Sequence, residues 1–188
     1  MQVLTDEQLE TFMKLVDAEE HWRDIFYTEL TTGLRRGELC GLKWTDFDEV
    51  EGKLKINRSI DVKNGVIIEG ETKTGKSKRS FYLPVSTANV LRERKKNAKS
   101  EWIFTDLLNP ELPVAPPAAY RKMKQLLQKA GLPNIRFHDL RHTFAITALA
   151  NGMDVKTLSA IIGHISSETT LNIYTHIDRK STRLNSSH

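Results

Sequence analysis

The sequence predicts an α+β fold that is mainly helical and contains a small three-stranded antiparallel sheet. Apolar residues recur every three or four positions through most of the chain, which is the spacing of a helix with one buried face. Between residues 53 and 84 the spacing changes to the alternation that is typical of strands, and Asn64-Gly65 lies within it as a hairpin turn would. This change of period places a sheet between two helical segments.

Residues that begin or end helices mark the helix boundaries. Thr5 and Gln8 have the spacing of a capping box, and Asp154 is a second candidate N-cap. Asn151-Gly152 is typical of the position just after a helix ends. The predicted helices cover residues 5–18, 20–32, 36–42, 87–98, 118–130, 138–150, 155–162 and 167–176.

The predicted strands cover residues 53–60, 65–70 and 78–84. Pro84 ends the last strand, because proline cannot donate to a sheet ladder, and Ser86 or Thr87 is expected to cap the next helix. Residues 105–117 contain four of the six prolines and are predicted to form a loop.

The length and composition favour one globular domain. We expect a single folded domain over residues 1–180 of the 188 and a disordered polar tail over 181–188. No run of about 18 apolar residues is present, and the first residues do not resemble a signal peptide. The single cysteine, Cys40, excludes an internal disulfide and a multi-cysteine zinc site, which favours a reducing cytoplasmic setting.

Basic residues are clustered along the chain. The net charge is +4, and the clusters lie at residues 73–79, 92–96 and 121–124. Such clusters bind polyanionic DNA through the release of counterions, although each one alone is equally compatible with a solvated surface. The clusters therefore point only weakly to double-stranded DNA as a partner, and no membrane partner is expected.

Two arginines follow a glycine in the segment TTGLRRGELCGLKW at residues 31–44. Gly33 is expected to form a tight turn directly before Arg35 and Arg36. The leucines of this segment form the apolar set that fixes it to the core, so that one arginine is held by rigid structure. An arginine at a helix start is unfavourable to the helix dipole, which hints that an anion binds there.

A second charged group lies in the segment RFHDLRHTFAITALANG at residues 136–152. His138 and Arg141 are three residues apart and therefore share one face of a helix, with His142 beside them. A further histidine, His164, follows a glycine that ends a helix, and Tyr174 comes ten residues later.

In combination, the motifs TGLRRGE, HDLRH, IIGH and NIYTH resemble those of the tyrosine recombinases, the phage integrase family. KTGKSKRSFYLP also resembles the basic hairpin that holds the catalytic lysine of that family, and the likeness extends over about residues 5–176. The resemblance implies a catalytic domain that cuts and rejoins DNA through a covalent 3′-phosphotyrosine, without ATP, cofactor or metal. The catalytic set that it implies is Arg35, Lys73, His138, Arg141, His164 and Tyr174.

The resemblance also implies an assembly. Four protomers act on two DNA sites in this family, so we expect a homotetramer on DNA, with a monomer possible without DNA. Members usually have a separate amino-terminal DNA-binding domain, and we expect this chain to be a fragment without it, with weaker DNA binding. Integration and excision of a prophage or other mobile element is the implied role.

The chemistry of a phosphodiester explains why these residue types are suitable. Arg35 and Arg141 supply fixed planar donors that neutralise the charge on the non-bridging oxygens. The hydroxyl of Tyr174 is protonated at neutral pH, and His138 is the candidate to accept its proton. Lys73 is the candidate to protonate the departing sugar oxygen, and His164 to donate a hydrogen bond to a phosphate oxygen.

Several alternatives stay open from the sequence. Lys76 or Lys78 can replace Lys73, and Arg36 competes with Arg35. His142 is expected to support the site.

Two other classes of function also stay open. Residues 154–176 resemble a helix-turn-helix, which would make the chain a DNA-binding module without catalysis. HDLRH has the spacing of H-E-x-x-H, so a zinc metalloprotease that uses His138 and His142, with Asp139 as base, is a further alternative.

Overall fold

The computed structural model describes residues 2–71 and 78–163 of the chain. Its helices are α1 (Asp6–Asp17), α2 (Glu20–Thr32), α3 (Arg36–Cys40), α4 (Val85–Lys96), α5 (Pro116–Lys129), α6 (Phe137–Ala150) and α7 (Val155–Ile162). Each begins and ends within two residues of the predicted helix, and the predicted helix at 167–176 lies outside the described residues. The mainly helical α+β class is therefore confirmed.

The caps explain why two of these helices begin where they do. The Thr5 hydroxyl accepts from the backbone N–H of Gln8, whose side chain accepts from the N–H of Thr5. Asp154 accepts from the backbone N–H of Thr157 at 2.9 Å, as predicted. The predicted cap of α4 is wrong, because Pro84 occupies that position and the hydroxyl of Thr87 instead donates to that of Thr31.

Five strands form two separate sheets in the described part of the chain. They are β1 (Phe47–Asp48), β2 (Lys53–Ile56), β3 (Arg58–Lys63), β4 (Val66–Glu71) and β5 (Arg79–Tyr82). The three-stranded sheet has the order β1-β2-β5, and β3 pairs only with β4 in an antiparallel hairpin. Asn64 and Gly65 both have positive φ, 51° and 76°, which confirms the predicted turn.

The predicted strand over 53–60 is wrong as a single strand, because it breaks at Asn57. The amide of Asn57 donates to one carboxylate oxygen of Asp46 at 2.8 Å, and the guanidinium of Arg58 pairs with the other. Asp46 is only 2% exposed and lies directly before β1. This buried carboxylate therefore fixes the bend that sends β2 into one sheet and β3 into the other.

The core has two parts. In the larger one, Phe12 of α1 contacts Phe26 of α2 edge-on at 5.7 Å, and both are fully buried. The smaller one packs Phe144 of α6 against Leu158 and Ile162 of α7. Helix α6 lies against α2 and α7, so its middle turns are held on both sides. None of the helices described here is long and apolar enough to cross a membrane.

Candidate active site

A pocket of about 380 Å³ lies where the loop after α2 meets α3, α5 and α6. Its walls are formed by Leu34, Arg35, Arg36, Tyr120, Arg136, Phe137, His138 and Arg141. Three of the six predicted catalytic residues, Arg35, His138 and Arg141, thus lie together although they are distant in sequence. The other three, Lys73, His164 and Tyr174, lie outside the described residues.

The turn at Gly33 places the first arginine. Gly33 has a φ of 59° and ends α2, where its N–H donates to the carbonyl of Glu29 at 2.7 Å. The buried side chain of Leu34 then fixes the chain to the core, and Arg35 follows in an extended conformation directly before α3. The predicted role of this segment, to hold an arginine on rigid backbone, matches this arrangement.

Glu38 joins two guanidinium groups at the edge of the pocket. Its carboxylate, 2% exposed, accepts from Arg35 Nη1 at 2.9 Å and from Arg79 at 2.8 and 3.0 Å. Burial alone would raise the pKa of Glu38, but the hydrogen bonds and charge of Arg79, aided by Arg35, lower it below its ordinary value. Glu38 therefore stays anionic and orients Arg35, and its ion-pair partners, not predicted from the sequence, are Arg35 and Arg79.

Arg141 is the most enclosed cation of the pocket. Its side chain comes from the first half of α6, is 6% exposed, and donates from Nη1 to the carbonyl of Gly33 at 2.8 Å. Burial, followed by the charge of Arg35, lowers the pKa of Arg141 to about 10. The guanidinium remains protonated at neutral pH, and a buried cation with a like-charged neighbour favours an anionic ligand.

His138 lies one turn before His142 on α6, and the two rings contact edge-to-face with centroids 4.5 Å apart. Partial burial of its ring, followed by the charge of Arg141, lowers the pKa of His138 below its ordinary value. Burial and then His138 lower the pKa of His142 to about 4. Both imidazoles are therefore neutral at pH 7, the state in which His138 can accept a proton.

The metalloprotease alternative is disfavoured by Asp139. Its carboxylate is 2% exposed and accepts from both the backbone and the guanidinium of Arg136, at 2.9 to 3.2 Å. It therefore caps α6 and does not lie free to activate a metal-bound water. Within residues 2–71 and 78–163, no group of three or more His, Cys, Asp or Glu side chains could hold a metal ion.

Arg36 and Tyr120 also line the pocket. The guanidinium of Arg36 lies 5.7 Å from the ring centre of Tyr120, and the ammonium of Lys124 lies 5.0 Å from the same ring. Arg36 thus faces the pocket as Arg35 does, but only Arg35 is tied to Glu38. This difference favours Arg35 as the oriented donor.

Glu29 is a buried acid behind the pocket that the sequence analysis did not single out. It is fully buried on α2, and neither carboxyl oxygen has a hydrogen-bond partner among the described residues. Burial raises its pKa well above the ordinary value, with Arg141 opposing the shift and Glu38 adding to it. The protonated form of Glu29 is therefore favoured in the folded protein, and to that extent the charge of Arg141 is left available to an external anion.

Replacing Glu29 by glutamine should stabilise the protein increasingly as pH rises. The unfolded wild type loses the Glu29 proton near the ordinary pKa of 4.5, whereas the folded protein keeps it, so folding stability falls with pH above that value. Glutamine removes this loss. The free energy of unfolding of Glu29→Gln minus that of the wild type should grow by about 1.4 kcal/mol per pH unit until the folded pKa is passed.

Urea unfolding at several pH values measures this difference. Glu10→Gln is the matched control, because the Glu10 side chain is 67% exposed and should give no comparable slope. Parallel curves for Glu29→Gln and the wild type above pH 5 would show that Glu29 is not held protonated.

Arg79 and Glu29 each had a sequence signal that is visible in retrospect. Glu29 lies four residues after buried Ile25 and three before buried Thr32, so it lies on the face of α2 that packs against the core. Arg79 lies in the basic cluster at residues 73–79, but its side chain turns inward to Glu38 and to the carbonyl of Ile161. No sequence pattern distinguishes an inward arginine from its solvated neighbours in such a stretch.

Comparison with known proteins identifies relatives of this chain. A tyrosine recombinase XerC-like protein of Caldanaerobacter subterraneus is 29% identical over 94% of this chain and 51% of its own length. The integrase of Mycobacterium phage L5 is 32% identical over 87% of this chain and 45% of its own. The solved structure of the Tn1549 transposon integrase, in complex with a circular intermediate DNA, is 26% identical with a TM-score of 0.79, over 92% of this chain and 60% of that one.

The chain spans about half the length of the curated relatives that it matches. The sequence profile described as the Phage integrase family matches residues 2–181, which is nearly the whole chain. Together with the convergence of Arg35, His138 and Arg141 on one pocket, this match confirms the resemblance predicted from the motifs. The chain belongs to the phage integrase family.

Proposed function

We propose that this chain is the catalytic domain of a site-specific DNA recombinase that cleaves and rejoins strands through a covalent 3′-phosphotyrosine at Tyr174. The observation that supports this most strongly is the pocket in which Arg35, His138 and Arg141 lie together. A phenol that attacks a phosphodiester needs donors to neutralise the charge on the phosphate and a base to accept its proton. Two guanidinium groups and a neutral imidazole supply both. We place the domain at residues 1–180 and the polar tail at 181–188.

Arg35 and Arg141 bind the scissile phosphate in this proposal. Attack concentrates negative charge on the two non-bridging oxygens, and the guanidinium donors neutralise it at fixed positions. Glu38 orients Arg35, and the carbonyl of Gly33 orients Arg141. Because both arginines are held before the substrate arrives, little reorganisation is needed in the transition state.

His138 and Tyr174 perform the first proton transfer. His138 accepts the phenolic proton while the Tyr174 oxygen forms its bond to phosphorus and the bond from phosphorus to the 5′ oxygen breaks. The low pKa of His138 keeps its ring unprotonated before attack. The resulting phosphotyrosine conserves the ester bond, so a free 5′-hydroxyl of another strand can reverse the reaction without ATP.

Lys73 and His164 complete the set. Lys73 donates the proton that the departing 5′ oxygen needs, with Lys76 and Lys78 as its competitors, and His164 donates a hydrogen bond to a non-bridging oxygen. The position of Gly163, the residue before His164, supports this role. A Cβ added at Gly163 would lie 3.4 Å from Arg35 Nη1. The chain thus passes beside Arg35 directly before His164.

Double-stranded DNA is the proposed substrate, and no metal or cofactor takes part. The Tn1549 integrase was solved with DNA, and the net charge of +4 of this chain favours the same partner. We propose a homotetramer on two DNA sites, with a monomer possible without DNA, acting in the cytoplasm on a prophage or other mobile element.

A nicked suicide substrate tests the proposed function. Its nick lets the short cleaved piece diffuse away, so we expect DNA covalently attached to the protein after denaturation, and equally in the presence of a chelator. DNA binding without any adduct would favour the helix-turn-helix alternative. An activity that the chelator abolishes would favour a metal enzyme.

A further inference from the structure

We propose that His138 and His142 form a binding site for a divalent cation that prefers imidazole ligands, such as Zn²⁺, and that its occupation inhibits the protein. The two imidazoles lie one helical turn apart with ring centroids separated by 4.5 Å. A single ion binds imidazole nitrogens at about 2.0–2.1 Å, so two rings with centroids this close are near enough to share one ion once the rings rotate. Paired histidines on one face of a helix are an established arrangement for this ion.

Both rings are available to a ligand. His138 is exposed and His142 is half-buried, so an ion can approach from solvent. Within residues 2–71 and 78–163, no hydrogen bond holds either imidazole. Their contact with each other is therefore the main constraint on their orientation, and an ion between the rings need not break another bond.

The charges around the pair decide which ion binds. Arg141, Arg136 and Arg35 raise the positive potential at His138, which opposes any cation, whereas the carboxylate of Asp139 favours one. A hard cation such as Mg²⁺ prefers oxygen ligands and would gain little from two imidazoles. Zn²⁺, Ni²⁺ and Cu²⁺ bind imidazole well enough to overcome part of the repulsion, so we expect moderate affinity and this selectivity.

Two ligands leave coordination positions to water, so the site differs from a catalytic zinc site with three protein ligands. A metal on His138 occupies the lone pair that would accept the tyrosine proton. The inhibitory consequence therefore rests on the proposed function, but binding of the ion does not.

Calorimetric titration of the DNA-free protein with ZnCl₂ tests the binding. The background should contain His176→Asn and His188→Asn, which removes two histidines near the carboxyl end of the chain from the measurement. We expect one saturable zinc site and no comparable binding of Mg²⁺. His142→Phe keeps an aromatic ring but has no nitrogen, so its zinc affinity should be about 10- to 100-fold lower. His138→Asn should show the same loss, and His21→Asn should bind as the background does.

Unchanged zinc affinity in both His142→Phe and His138→Asn would overturn the proposal, as would the absence of saturable zinc binding. Thermal unfolding of each variant confirms that a loss of binding does not come from misfolding. The ratio of adduct formation with and without zinc then tests inhibition separately. If zinc binds at this pair but no adduct forms under any condition, the proposed function is wrong while the metal site stands.

Discussion

Replacing Arg141 by alanine is expected to slow formation of the covalent protein–DNA adduct by about 10²- to 10³-fold, the usual cost of losing one charge-stabilising donor in a transition state. Arg141 is 6% exposed and is held by the carbonyl of Gly33, so no neighbouring solvated cation can take its place without movement. Arg141→Lys should recover little of the rate, because one ammonium cannot donate to Gly33 and also offer a planar pair of donors to a phosphate. Single-turnover cleavage of the nicked substrate at saturating protein measures this step.

Arg23→Ala is the matched control for Arg141→Ala. Its side chain is 50% exposed and pairs with the adjacent Asp24, away from the pocket. It should react at the rate of the wild type. Circular dichroism of Arg141→Ala should show a folded protein, and a folded Arg141→Ala variant that forms adduct at the wild-type rate would contradict the assignment of Arg141.

Replacing Gly33 by alanine is expected to have the largest effect on stability, a loss of about 2–6 kcal/mol from backbone strain and overpacking together. The φ of Gly33 is 59°, which alanine adopts only with strain. A Cβ at this position would lie 2.4 Å from Cδ1 of Phe144 and 3.1 Å from Cγ2 of Ile162. Any shift that relieves these contacts also moves the carbonyl that binds Arg141, so adduct formation should fall as well.

Gly131→Ala separates the two contributions. Gly131 also has a positive φ, 65°, but a Cβ there would have nothing within 4 Å. The loss of stability in Gly131→Ala should therefore come from backbone strain alone, about 1–3 kcal/mol. Chemical unfolding of both variants measures the difference, and equal losses would show that the contact with Phe144 is relieved at no cost.

The helices could be predicted from the sequence because their signals are local. Capping residues such as Thr5 and Asp154, and the recurrence of buried residues such as Phe12 and Val16, depend only on neighbours within about two turns. The sheet could be predicted only in part. Its strands alternate locally, but the break at Asn57 depends on Asp46, a buried carboxylate that lies eleven positions earlier in the chain.

The same distinction applies to the site. Arg35, His138 and Arg141 were predicted because they lie in short motifs, and their convergence then followed from the family resemblance and not from any local signal. Glu29 and Arg79 were not predicted, because their roles arise only when α2, α3 and β5 are packed against one another. Lys73, His164 and Tyr174 stay predictions, since they lie outside the described residues.

The most direct test of the account is to identify the tyrosine that becomes attached to DNA. Tyr120 is the natural competitor, because its ring lines the pocket that contains Arg35 and Arg141. The account predicts that Tyr174→Phe forms no adduct on the nicked substrate while it still binds DNA, and that Tyr120→Phe still forms adduct. An adduct that persists in Tyr174→Phe, or that disappears only in Tyr120→Phe, would contradict it.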